Sequence, residues 1–132
     1  MVQAAAFEFA YEGSFVRPST CINPGGNNPP NEGPEFLIQR SLRTKWIDKN
    51  VRPVVFDFGK PVALDSFRWA TGADPRSTGR DPVRWILEAS SVGEGGDDWI
   101  VVHDQSKADY PVTTERTGWI VGNEPSLGHE EL

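Results

Sequence analysis

Short apolar runs with a period of about two residues recur along the chain, separated by clusters of glycine, proline and polar residues. Side chains alternate between the two faces of a β-strand, so this period predicts strands with one buried face. Runs rich in β-branched and aromatic residues, bounded by turn residues at regular intervals, are typical of β-sandwiches and barrels. The predicted strands cover residues 5–10, 15–17, 54–58, 64–69, 84–89, 99–102 and 117–121.

One segment departs from the strand pattern. Residues 35–40 favour a helix of one or two turns, and Pro34 suits its first position, where a missing N–H costs nothing. The sequence therefore predicts an all-β domain over residues 1–132, with one short helix near residues 35–40.

The composition adds information about the loops and about the core. The chain of 132 residues carries 13 glycines and 11 prolines, many of them in two long polar loops at residues 21–35 and 71–83. Binding residues are commonly found on such loops. Of the five tryptophans, Trp46, Trp69 and Trp85 are predicted to fill the core rather than to stack on a sugar, whereas Trp99 and Trp119 stay open.

The net charge of −6 argues against nucleic acid as a partner, because nucleic-acid binding favours a basic surface. No apolar run approaches the roughly 18 residues that a membrane span needs. The first residues lack the basic start of a secretory signal, so we expect a soluble domain. Cys21 is the single cysteine, which excludes an internal disulfide.

The residues offer little for catalysis, and we predict that the domain is not an enzyme. Cys21 would need His103 or His129 as a base, and neither a nucleophile elbow nor a phosphate-binding glycine loop is present. Two histidines and one cysteine, far apart, do not match a zinc site. His103 alternates with Val102 and is predicted to face solvent without a role. A pair of carboxylates for sugar hydrolysis stays open, because pairing in space is not visible in a sequence.

Several sequence segments, taken in order along the chain, resemble one protein family. They are residues 28–46, which run from Asn-Pro-Pro-Asn-Glu-Gly to Thr-Lys-Trp, then 54–62, 67–71, 79–90 and 98–102. This order is similar to the discoidin or coagulation-factor type C family. The resemblance covers about residues 20–121 and implies a jelly-roll β-sandwich of the galactose-binding-like type, in a family that is often extracellular. Residues 122–132 are predicted to form a tail.

The resemblance also implies a calcium segment, which is degenerate here. Aligned on Thr44 and Trp46, the chain has Gln39 and Arg40 where family members have Asp and Gly. A hard cation prefers anionic oxygen ligands, so we expect no metal and no other cofactor, with Arg40 standing in for the ion electrostatically. A retained structural calcium ion is the alternative.

Family members bind ligands through loops at one end of the sandwich. The resemblance therefore implies a non-catalytic module that binds a carbohydrate or a glycosylated surface, with Tyr110 as an aromatic partner at the border of the loops. Arg80 is either such a contact or a scaffold residue that pairs with an acid. The alternative function is a structural protein–protein interaction subunit that has lost sugar and calcium binding. The candidate ligand-binding residues are Asn28, Asn31, Asp74, Arg76, Arg80 and Tyr110.

Overall fold

A computed structural model describes residues 1–74, 79–93, 95–112 and 119–123, the last of these ranges by its backbone alone. These residues form ten short strands and one 3₁₀ helix, which confirms the predicted all-β class. The strands are β1 (Val2–Ala4), β2 (Ala6–Tyr11), β3 (Ser14–Phe15), β4 (Thr20–Ile22), β5 (Trp46–Asp48), β6 (Val55–Asp57), β7 (Ser66–Ala70), β8 (Ile86–Ala89), β9 (Ile100–Asp104) and β10 (Trp119–Asn123).

The strands pair in small antiparallel sheets. The largest has four strands in the order β10-β7-β2-β3, and β1–β5, β4–β6 and β8–β9 each form a two-stranded sheet. Most neighbours are distant along the chain, as with β7 between β2 and β10. The fold therefore depends on long-range pairing, which brings loops from separate parts of the sequence together.

The first predicted strand, residues 5–10, is interrupted by a change of partner. Ala4 pairs with Trp46 of β5, and Ala6 pairs with Ala70 of β7, so Ala5 is the corner between the two sheets. Ala4, Ala5 and Ala6 are all fully buried, and only small side chains allow the two sheets to approach this closely. Strands β1, β4 and β5 were not predicted, because none of them lies in a longer run with a clear period, whereas β6, which is equally short, lies within the run at residues 54–58.

The predicted helix is present as a 3₁₀ helix at Pro34–Ile38, with Pro34 at its beginning. It ends two residues before the predicted end, and it buries Leu37 completely. The described residues hold no helix of the length and apolar character needed to cross a membrane.

Aromatic residues dominate the core, as predicted. Trp46 is 5% exposed and Trp69 is 1% exposed, and the ring of Trp85 meets that of Trp69 edge-on at 5.9 Å between centroids. Large aromatic side chains bury much apolar area each, so they hold a small core together. Phenylalanines from three strands and the loop after β6 pack beside them: Phe7, Phe9, Phe56, Phe58 and Phe67.

The opposite face of β2 and β7 carries a buried ion cluster. Glu8 and Arg68 lie opposite each other in register, and Arg68 donates to Glu8 Oε1 through Nη2 at 2.8 Å. Arg40 donates to Glu8 Oε2 at 2.8 Å and lies 3.8 Å above the centre of the Phe15 ring. The carboxylate is thus held between two guanidinium groups, which compensates the cost of removing its charge from water.

Candidate functional site

A groove of about 330 Å³ opens where three loop segments meet, and we call it the polar groove. It is lined by Asn31 and Glu32 from the first loop, by Arg43, Thr44 and Lys45 just before β5, and by Ala73 and Asp74 after β7.

The change of strand partner at Ala4–Ala6, which we call the alanine corner, positions two walls of the groove. Because Ala4 pairs with the first residue of β5 and Ala6 pairs with the last residue of β7, both strand ends lie beside Ala5. The N–H of Ala5 donates to the carbonyl of Ala70 at 2.8 Å, which holds the end of β7 against the corner. The residues that enter β5 and those that leave β7 therefore lie at the same corner.

The third wall is tied to β5 through its backbone. The carbonyl of Glu32 accepts the N–H of Ile47 at 3.0 Å, and the N–H of Glu32 donates to the carbonyl of Pro29 at 3.1 Å. Asn31 between them has φ 63°, in the left-handed region that asparagine tolerates better than most residues. This turn brings Asn31 and Glu32 to the groove.

Asp48, fully buried at the end of β5, anchors the same loop. Its carboxylate accepts the backbone N–H groups of Asn27, Asn50 and Arg52 at 2.7–2.8 Å and the side-chain amide of Asn23 at 3.1 Å. Burial tends to raise the pKa of Asp48, but these four donors outweigh it and hold the pKa below its ordinary value. The ionised carboxylate therefore fixes the loop leading to Asn31.

The charges in the polar groove are of both signs. Glu32 and Asp74 contribute carboxylates, and Arg43 and Lys45 contribute cations. Among the described residues neither Arg43 nor Lys45 makes an ion pair. Between them, the hydroxyl of Thr44 is buried and has no hydrogen-bond partner there. The groove thus offers two cations that no described carboxylate pairs with.

Two predicted ligand residues, Asn31 and Asp74, meet in this groove although they come from different loops. Asn28 lies apart from them. Its amide nitrogen donates to Asn23 Oδ1 at 2.9 Å and to the carbonyl of Ile47 at 2.7 Å, so it serves the internal network of the loop.

The other predicted ligand residues do not line the groove. The ring of Tyr110 packs 5.5 Å from that of Trp85, and its N–H donates to the carbonyl of Val83 at 2.8 Å, so this aromatic residue belongs to the border of the core. Arg80 is half-buried and outside the groove lining. Arg76 lies outside the described residues. The predicted tail over residues 122–132 begins too early, because residues 122 and 123 belong to β10, and the remainder from residue 124 also lies outside the described residues.

The three residues that the resemblance assigns to a degenerate calcium segment lie in different surroundings. Gln39 is exposed, Arg40 bonds Glu8, and Thr44 lines the polar groove. Arg40 has φ 56°, a conformation that favours glycine and fits the glycine that the resemblance expects there. Nowhere in the described ranges do three or more His, Cys, Asp or Glu side chains gather in a way that suits a metal ion.

The prediction that His103 faces solvent is wrong. Its Nδ1 accepts the indole N–H of Trp85 at 3.1 Å, and its ring meets Phe67 edge-on at 5.2 Å. Val102, which has the more apolar side chain, is instead 51% exposed. The partly buried indole N–H of Trp85 and the ring of Phe67 both contact His103, which places the imidazole on the inner side of β9.

The single cysteine is not an activated nucleophile. Cys21 is buried, and desolvation together with the negative charge of Glu35 raises the pKa of its thiol to about 12. Because the thiolate is the reactive form, this side chain is inert at neutral pH.

Four of the seven residues that line the polar groove were not predicted: Glu32, Arg43, Lys45 and Ala73; Thr44 was predicted only as part of a calcium segment. The available signal is the polar triplet at residues 43–45 directly before the apolar pair Trp46 and Ile47. It is not informative alone, because no longer run with a clear period surrounds β5.

Comparisons of the chain with protein-family models, with curated proteins and with solved structures found no match in any of the three. The resemblance to the discoidin family therefore stays a prediction.

Proposed function

We propose that this domain is a non-catalytic recognition module that binds carbohydrate through the polar groove. The observation that carries the proposal is the meeting of Asn31 and Asp74, from two separate loops, in a groove of about 330 Å³. Small-molecule sites have volumes from roughly 300 Å³ upward and use a few convergent polar groups to fix orientation. Amide and carboxylate groups bond sugar hydroxyls readily, because they accept and, for the amide, also donate.

No aromatic side chain is among the described residues that line the groove. Recognition in this proposal depends on hydrogen bonds to hydroxyl groups rather than on stacking against a sugar ring. The four small sheets are, in the same proposal, parts of one jelly-roll β-sandwich of the galactose-binding-like type, with the polar groove at a loop end.

A glycan array tests this function. Asn31→Ala combined with Asp74→Ala is expected to abolish binding that the unmodified protein shows, whereas Arg80→Ala, a change outside the groove, retains it. Thermal melting of all three proteins separates lost binding from lost folding. Binding that survives the double change, or no glycan bound by the unmodified protein, contradicts the proposal.

A second candidate function, docking onto another protein, is favoured by the outer face of β8–β9. Ile86 is 50% exposed, and the consecutive residues Ile100, Val101 and Val102 are 62%, 57% and 51% exposed, so β-branched side chains are exposed on both strands. Exposed apolar patches often mark interaction surfaces. A cross-linked partner retained by the Asn31→Ala, Asp74→Ala protein but lost with Ile100→Thr and Val102→Thr would favour this function over sugar binding.

A further inference from the structure

The polar groove holds cations that the rest of the structure does not use. Arg40 and Arg68 both bond Glu8, and Arg84 bonds Asp109 at 2.6 Å. Arg43 and Lys45 make no ion pair among the described residues, as is also true of the exposed Lys49 and Lys60, but Arg43 and Lys45 are the two cations that line the groove. These two side chains are therefore available to an anionic group on a ligand.

Both cations lie on the wall that enters β5, one on each side of Thr44. The hydroxyl of Thr44 is closed off from solvent, so recognition on this wall depends on the two charged side chains rather than on the hydroxyl.

The remaining walls limit the kind of anion. Glu32 and Asp74 repel a second negative charge but accept hydrogen bonds from hydroxyl groups, as the carbonyl oxygen of Asn31 also does. A ligand that fits has one negative charge near the Arg43 wall and hydroxyl groups near the opposite walls. A multiply charged phosphate fits poorly, because the two carboxylates oppose its extra charge.

We propose that the polar groove recognises a sugar that bears a carboxylate, with Arg43 and Lys45 binding the carboxylate and Asn31, Glu32 and Asp74 binding ring hydroxyls. This inference rests on the proposed function and names its substrate class. A guanidinium group binds a carboxylate with two parallel hydrogen bonds, and a carboxylate is a stronger hydrogen-bond acceptor than the much less basic sulfate ester. The net charge of −6 opposes unspecific adsorption of polyanions, so binding would report the groove itself.

The experiment uses an array of neutral oligosaccharides. Each is paired with a form that carries one glucuronate, galacturonate or mannuronate residue and with a form that carries one sulfate group. The expected result is binding of at least one uronate at about tenfold or more higher affinity than its neutral and sulfated counterparts, decreasing as salt is added. Arg43→Gln with Lys45→Gln is expected to reduce uronate affinity to the level of the neutral sugar. Lys49→Gln with Lys60→Gln, which removes the same charge from exposed positions outside the groove, leaves it unchanged.

The outcomes separate this inference from the proposed function. Neutral sugars bound as tightly as uronates, and equally by the Arg43→Gln, Lys45→Gln protein, would overturn the inference while sugar binding stands. Sulfated sugars bound as tightly as uronates would overturn recognition of the carboxylate. Absence of binding to every sugar would overturn both proposals.

Discussion

Two antiparallel pairs in this domain, β2–β7 and β8–β9, have similar alternation in sequence but opposite relations to solvent. All five residues of β7 are buried, including Arg68, whereas in β8 and β9 only Leu87 and His103 are partly buried. The difference comes from what covers the second face. Arg40 and Phe15 cover the Glu8 side of β2–β7, whereas in β9 the consecutive residues Ile100, Val101 and Val102 all remain more than half exposed. Alternation thus defines two faces, and burial of each face depends on distant parts of the chain.

The substitution expected to lower the stability of the β2–β7 pair most is Glu8→Gln. It leaves the buried Arg68 and the neighbouring Arg40 without their shared carboxylate, and removing one partner of a buried ion pair costs about 3–5 kcal/mol. Urea unfolding measures the loss as a lower midpoint.

The matched control is Glu88→Gln on β8, which is exposed and pairs with Val101. Changes at such surface positions usually alter stability by less than about 0.5 kcal/mol. Equal effects of the two substitutions would show that the two strand pairs do not differ as described.

The same contrast explains how much of the fold the sequence predicts. Alternation located β6, β7, β8 and β9 to within about two residues, because each of them has at least one face with a clear period. It did not locate β1, β4 and β5, and it did not indicate which strands pair. Pairing here is long-range, as between β2 and β7, and depends on packing that no local pattern records.

Prediction of the candidate site was limited for a related reason. Asn31 and Asp74 were selected because they stand in long polar loops, and they do meet in one groove. No local sequence pattern marks Arg43 and Lys45 as binding residues. They line the groove because β5 and β7 both pair at the alanine corner, and this pairing cannot be predicted from the sequence.

A smaller change, His103→Ala, sharpens the distinction between the two faces of β9. The substitution removes the acceptor of the Trp85 indole and the ring that packs on Phe67. A lost hydrogen bond and lost packing together are expected to cost about 1–3 kcal/mol in the free energy of unfolding. Val102→Ala, the neighbouring residue on the outer face, is the control and is expected to cost less. If His103→Ala lowers the free energy of unfolding no more than Val102→Ala does, the inward position of His103 is contradicted.

The smallest expected effect tests the exposed face itself. In Ile100→Thr combined with Val102→Thr, both side chains stay β-branched, so the preference for a strand is kept while the outer face becomes polar. Because both residues are more than half exposed, the free energy of unfolding is expected to change by no more than about 0.5–1 kcal/mol for the pair. Urea unfolding of the double variant checks this, and a larger loss would mean that the outer face is packed within the folded chain. A loss within this range would show that these apolar side chains contribute little to folding. They would then remain accessible on the folded domain for contact with a partner.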